Sequence, residues 1–204
     1  MRHAGASDEP TDADLMRRTA AGDRDAFAAV YRRHHASIFR FARLMTGSNS
    51  VAEDVVQEVF LVLMRDSSRY APERAMLSTY LFGIARHYTR RRLARERRFV
   101  GLNDSDCNGP KEPAVPGSIA DDVIRECELK RLRRAVLALP SRYREAIVLC
   151  DLQDVSYAEA AATLGCAIGT IRSRLHRARQ LLANKLQRSS GGALAGSSPM
   201  RCAV

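Results

Sequence analysis

Residues 156–179, SYAEAAATLGCAIGTIRSRLHRAR, decide how the second half of this chain is read. Their spacing predicts two short helices and a tight turn. Ser156 can accept from the third helical N–H while Glu159 reaches back, a capping box that opens the first helix. Ala161 is small enough for a second helix to cross closely above it, and Gly165, four residues on, permits the turn. Leu164, Ile171 and Leu175 are placed to seal the pair. The second helix then presents Thr170, Arg172, Ser173, Arg174, His176, Arg177 and Arg179, so one flank is almost wholly hydrogen-bond donors. A major groove offers guanine acceptors and phosphate oxygens to such a flank. The competing reading is an ordinary αα-hairpin with a solvated basic face. Small residue, glycine, apolar and basic positions agree together, which favours a DNA-binding helix-turn-helix.

The rest of the 204 residues suits that expectation. One or two domains are expected at this length. A net charge of +10 and a pI near 10.0 suggest a polyanionic partner, either nucleic acid or an acidic membrane surface. No apolar run approaches the ~18 residues of a membrane span. The start, MRHAGASDEPTDAD, lacks the apolar middle of a secretory signal, so a cytoplasmic location is expected. The five cysteines form no CxxC, which supports neither a disulfide framework nor a zinc site. Cys150 and Cys166 are expected as small buried apolar residues.

In chain order, residues 1–10 are expected to be disordered. Thr11 or Asp12 caps a short helix to Ala20, closed by Gly22. A longer helix from about Asp23 to Thr46 carries Phe27, Val30, Tyr31, Ile38, Phe41, Leu44 and Met45 on its apolar face. His34 and His35 sit beside Arg32 and Arg33 without ligand-spaced partners and read as a wet basic face. Ser50 and Glu53 form a second capping box, opening a helix to about Arg65. Val55, Val56, Val59, Phe60, Val62 and Leu63 are its apolar side, and Asp54, Gln57, Glu58 and Leu61 share the opposite one. On spacing, that acidic island is a solubilising surface or a docking face for a basic partner helix.

Ser68 to Met76 reads as a loop broken by Pro72. The helix after it, Leu77 to Arg98, changes character halfway. Leu77, Tyr80, Leu81, Ile84 and Tyr88 can face a core, and then comes RHYTRRRLARERR. Seven arginines in those thirteen residues exceed what one solvated face requires. Interleaved aromatics suit a site that holds phosphates and unstacked bases together. A membrane-surface helix is the alternative, weakened by the few apolar residues of the basic half.

From residue 100 to 120 the periodicity stops among Gly, Pro, Asn and Asp, which predicts a mildly acidic flexible linker. About 20 extended residues could span roughly 65–70 Å. A second module, 121–187, opens with a helix to Leu139, and Pro140 starts the next in its first turn, Ser141 to Asp151. Residues 188–204, rich in Gly and Ser, read as a disordered tail. The expected fold is therefore all-α, two small helical domains (11–99 and 121–187) joined by a linker. No P-loop, dinucleotide fingerprint, HExxH or GxSxG occurs, so neither catalysis, a small-molecule substrate, a cofactor nor a metal is expected.

These stretches resemble a known family. LPSRYREAIVLCDLQDVSYAEAAATLGCAIGTIRSRLHRARQLL looks like the C-terminal promoter-reading domain of bacterial sigma factors. AEDVVQEVFLVLMR followed by LSTYLFGIARHYTRRRLARERR resembles their N-terminal core domain. Two such domains with only a linker between them match the extracytoplasmic-function group of the sigma-70 family. The resemblance implies a non-catalytic subunit that binds core RNA polymerase and directs it to promoters. It implies that Asp54, Gln57, Glu58, Phe60 and Leu61 dock on the clamp coiled coil of the largest subunit, with the second domain at the β flap. Tyr80, Arg86, His87, Tyr88, Arg90, Arg91, Arg95 and Arg98, with the Tyr70–Met76 loop, would take the melted −10 element. Strand opening is costly, and stacking with phosphate contact on the exposed strand offsets it. At the −35 element Arg172, Ser173, His176 and Arg177 would meet base edges. Tyr157, Glu159, Thr170, Arg174 and Arg179 would orient that helix or touch backbone. The resemblance also implies an anti-sigma factor partner. The family usually has Trp where Tyr80 stands and Asn at His87, so the −10 sequence is not inherited from it.

Overall fold

The computed structural model describes residues 9–100 and 120–191, with side chains over 9–95 and 126–187. Among the described residues there are eight α-helices, one 3₁₀ turn and no strand, as an all-α reading requires. They form two compact units, the first built on α1–α4 and the second on α5–α8. Most of the expected disordered start, of the linker and of the tail lies outside the described residues.

In the first unit, α1 (Asp12–Ala20) opens at Thr11, whose hydroxyl accepts from the Asp14 N–H at 3.2 Å. The helix α2 (Arg24–Thr46) follows the turn at Gly22, where φ is +90°. Asp23 accepts from the N–H groups of Asp25 and Ala26 at 2.9 and 3.0 Å, holding the first orphan donors of α2. Leu15 and Met16 of α1 are buried, as are Val30, Ile38 and Phe41 of α2.

The helix α3 (Asn49–Arg65) has its cap two residues before the expected Ser50 box. Ser48 caps it, because Gly47 at φ +80° delivers the chain to Ser48 in extended geometry, with its hydroxyl 3.4 Å from the Val51 N–H. Ala52, Val55, Val56, Val59, Phe60 and Leu63 form the buried stripe, while Val62 is half-exposed. The expected loop contains a 3₁₀ turn, Ser67–Arg69, before α4 (Leu77–Val100).

The buried stripe of α4 is rotated from the expected one. Leu77, Leu81, Phe82, Ala85 and Thr89 face inward, whereas Tyr80, Ile84 and Tyr88 are half-exposed. Thr89 tolerates burial because its hydroxyl donates to the Ala85 carbonyl at 2.6 Å. Phe82 meets Phe41 of α2 at 5.5 Å between ring centres, and Phe60 of α3 meets Phe27 at 6.3 Å and Tyr31 at 4.7 Å. The buried rings of Phe41, Phe60 and Phe82 each contribute about 1.5–3 kcal/mol by leaving water.

The histidine pair is not a wet basic face. His34 is only 8% exposed, and its Nε2 lies 2.9 Å from Asp12 Oδ2. The ring of His35 lies tilted against Tyr31 at 4.8 Å and stacks on Phe39 at 6.3 Å. Sequence spacing cannot show a partner on another helix, and burial beside Asp12 is what overrides the exposed reading.

In the second unit, α5 (Ala120–Leu137) ends two residues before the expected Leu139. Pro140 is the cap of α6 (Ser141–Leu152) rather than its first helical residue, in extended geometry with ψ 140°. Arg144 donates to the Leu139 carbonyl at 3.0 Å, closing the α5–α6 turn. The helix α7 (Tyr157–Leu164) has the predicted capping box, with Ser156 Oγ 3.2 Å from the Glu159 N–H and Glu159 Oε2 3.1 Å from the Ser156 N–H. Gly165 is left-handed at φ +65°, and the Cys166 N–H reaches back to the Ala161 carbonyl at 3.0 Å. The helix α8 (Ile168–Gly191) then runs past the expected end at Gln187. Cys150 and Cys166 are half-buried rather than buried, and burial pushes the Cys150 thiol up to about 11.

Asp12 links structure to pH. The His34 hydrogen bond, opposed by burial and assisted by Arg33, holds its carboxyl below the ordinary value of 3.8. A lowered acid stabilises the fold fully above the unfolded-chain value and loses that contribution as pH falls through the native one. Asp12→Asn should therefore lower the thermal midpoint at neutral pH, and the gap from wild type should close as pH drops below 3.8. A gap unchanged down to full protonation would show that the carboxylate is not paired in solution.

Candidate nucleic-acid interface

The helix-turn-helix is α7, the turn at Gly165 and α8. Ile171, Leu175 and Ala178 of α8 are buried, and so are Ala160, Ala161 and Leu164 of α7. That spacing leaves the other side of α8 in water. Arg172, Ser173, His176 and Arg177 are all exposed there, the four residues expected at base edges. Among the described residues their ties are local: Ser173 Oγ donates to the Thr170 carbonyl at 3.0 Å, Arg177 reaches Gln180 at 3.2 Å, and His176 Nε2 lies 3.0 Å from Gln180 Nε2. Side chains held this loosely can turn toward an acceptor at little cost.

The residues expected to orient that helix differ in their commitments. Glu159 belongs to the capping box. Thr170 is half-buried beside the turn, and Arg174 lies half-buried with Nη1 3.8 Å from Cys166 Sγ. Arg179 makes a bidentate pair with Asp151 at the end of α6, Nε to Oδ2 at 2.9 Å and Nη2 to Oδ1 at 2.7 Å. Tyr157 at the start of α7 neighbours the same guanidinium, and Asp151 first, then Tyr157, raises its pKa further. Asp151 and Arg179 thus join α6 to α8, with Tyr157 of α7 alongside. Asp151 was missed because its partner lies 28 residues away and nothing local marks it.

In the first unit, α4 carries Tyr80, Ile84, His87, Tyr88, Arg91 and Arg95 along one side, over about 22 Å. Tyr80 packs on Tyr70 at 5.7 Å between ring centres, and His87 meets Tyr88 edge-on at 5.5 Å. Arg90 is exposed and Arg86 half-buried, both off that stripe by helical spacing. The side chain of Arg98 lies outside the described residues. Aromatic faces and guanidinium groups in one row can stack bases and hold phosphates.

The acidic island of α3 does not act as one surface. Asp54 accepts from Arg92 of α4, and Asp54, Val55 and Glu58 line one groove with Tyr88, Arg91, Arg92 and Arg95. Gln57 and Leu61 face the other way, into a groove with Phe27, Tyr31, His35, Val56, Phe60 and Met64. Phe60 is 5% exposed and shapes that groove from beneath, whereas Leu61 and Met64 are 46% and 56% exposed. Tyr31 and Met64 were not expected there. Met64 follows Gln57 and Leu61 at seven and three residues, a helical signal that a wider window would have caught.

Among the described residues no cluster of His, Cys, Asp and Glu could hold a metal ion, and no helix is long and apolar enough to cross a membrane.

Comparison with known proteins agrees with this layout. A family described as Sigma-70 region 2 matches residues 30–99, and Sigma-70, region 4 matches residues 129–182. The ECF RNA polymerase sigma factor SigM of Mycobacterium tuberculosis is 34% identical over 182 residues, 89% of this chain and 88% of that protein. Among solved structures, CnrH in complex with the cytosolic domain of CnrY aligns with a TM-score of 0.67 at 27% identity, covering 88% of this chain and 99% of that one. The sigma factor RpoE of Bartonella quintana, solved with the anti-sigma factor NepR, gives 0.62 at 29% identity, covering 78% and 97%.

The Asp151–Arg179 pair should be worth about 0.5–1 kcal/mol, as expected of a half-exposed ion pair. A double-mutant cycle with Asp151→Asn and Arg179→Met, read by urea denaturation, should return that coupling. Strict additivity would mean that the pair is absent in solution.

Proposed function

The chain belongs to the extracytoplasmic-function sigma factors of the sigma-70 family, and from that premise we propose how its two helical units divide promoter recognition. A sigma factor is the specificity subunit of bacterial RNA polymerase. The module of residues 11–99 binds core polymerase and the −10 element, residues 100–120 act as a tether, and 121–187 reads the −35 element near the β flap. The observation that carries this division is α8: Arg172, Ser173, His176 and Arg177 are exposed on a helix pinned by Ile171, Leu175 and Ala178.

On the first module, α3 docks on the clamp coiled coil through Gln57, Leu61 and Glu58, with Phe60 supporting the contact from below. The apolar groove beside Gln57 supports this, since a partner helix would cover Leu61 and Met64, both exposed here. Asp54 contributes from the side facing α4. The row from Tyr80 to Arg95 takes the opened −10 strand, with Tyr80, His87 and Tyr88 offering faces for unstacked bases. Arg86, Arg90 and Arg98 add to the positive field around it. Arg174 and Thr170 steady the turn of the second module, and Arg179 and Tyr157 set the angle of α8 rather than meeting bases.

CnrH and the RpoE of Bartonella quintana are each solved with a regulatory partner, CnrY and NepR. We infer that this chain too is masked by an anti-sigma factor, which would cover the same docking groove. No catalytic step, cofactor or small-molecule substrate enters the mechanism, and the chain works where polymerase does, in the cytoplasm.

In vitro transcription with purified core polymerase tests the whole reading: promoter-specific starts should appear with this chain and vanish without it. Gln57→Ala with Glu58→Ala should weaken core binding while helicity stays intact. Arg177→Ala should cost about 1–3 kcal/mol of discrimination at one −35 base pair if its contact is bidentate. An equal loss on every sequence would make Arg177 a phosphate contact instead.

A further inference from the structure

Helix α1 packs against the 3₁₀ turn Ser67–Arg69. That turn leads directly into Tyr70, whose ring rests on Tyr80. Leu15 and Met16 bury one side of α1, but apolar burial alone lets a nine-residue helix slide or roll. The Asp12 carboxylate also ties it to α2. Asp12 Oδ1 accepts from Arg33 Nη1 at 2.5 Å, and Oδ2 lies 2.9 Å from His34 Nε2. Arg33 also donates to the Pro10 carbonyl at 3.1 Å and reaches Glu9 at 3.7 Å. Two consecutive residues of α2 therefore grip the entry to α1.

We propose that Asp12 is a positioning residue for capture of the opened −10 strand: clamped by Arg33 and His34, it fixes α1 as a brace behind the Ser67–Tyr70 turn and so sets the stance of Tyr70 against Tyr80. The electrostatics agree with that proximity. Burial first, and then the charges of Asp12 and Glu73, raise the Tyr70 phenol above its ordinary value. The other carboxylates around α1 do not do the same work, since Asp14 pairs with Arg17 on its own helix and Asp23 pairs with Arg18 at its end. The inference rests on the proposal that Tyr80 and the loop before it engage the strand.

The test uses holoenzyme, assembled from core polymerase and the full chain, on a promoter from which it initiates. A 2-aminopurine in the −10 element reports opening. Asp12→Asn should slow opening about three- to tenfold, with unchanged affinity for core polymerase and for a duplex −35 fragment. Asp14→Asn, the same charge loss on the same helix, should open at the wild-type rate, and Asp12→Glu should recover most of the loss. Tyr80→Ala is run beside them. If Tyr80→Ala is slow and Asp12→Asn is not, the brace is refuted and the −10 reading stands; if neither is slow, both fall. Equal losses in core binding and opening would reduce Asp12 to general stability and also refute the proposal. Should Asp12→Asn lose helicity, Arg33→Ala, which leaves the His34 contact, replaces it, and wild-type opening by that variant overturns the inference.

Discussion

Ile171, Leu175 and Ala178 recur at four and three residues along α8, and their burial against α6 and α7 is what makes the rest of that helix available. A wider buried stripe would have drawn Arg174 or Arg177 inward, where a guanidinium without a partner is costly. A narrower one would leave the helix to pivot. With this stripe, positions 172, 173, 176 and 177 fall together on the open side, which is the geometry that a groove-reading helix needs.

Charge is distributed with comparable selectivity. The chain carries +10, yet several guanidinium groups are already engaged inside the fold. Arg179 belongs to Asp151, Arg33 to Asp12, and Arg92 to Asp54. Each of these pairs joins two helices and holds a backbone in place. Arg90, Arg91 and Arg95 of α4 and Arg172 and Arg177 of α8 are instead exposed to water. Structural and recognition arginines look alike in composition, and only the position of a carboxylate on a neighbouring helix separates them.

That distinction also marks how far the sequence could be read. The capping box at Ser156, the glycine turn and the basic flank are local, so spacing alone revealed them, and the all-α class followed from periodicity. Several of the errors share one cause, a neighbour on another helix. His34 was read as wet because Asp12 stands 22 residues earlier. Tyr80 and Tyr88 were turned inward by one step of the helix, since apolar character does not distinguish a ring that packs a core from one left half-exposed at its edge. The island of α3 looked uniform in sequence, but α2 and α4 divide it between an apolar groove and an ion-paired one. Spacing left Asp54 between a solubilising surface and a docking face, and the docking expectation for it and for Phe60 came from family resemblance.

Helix α7 has only eight residues. Isolated helices need roughly 12–15 residues to persist in water, so α7 borrows its order from the cap at one end, the turn at the other and the helices above and below it. A graft of this reading head onto another scaffold would thus have to carry α6 along with the two helices that name the motif. Cut to the motif alone, the segment would surrender its shape before it ever met DNA.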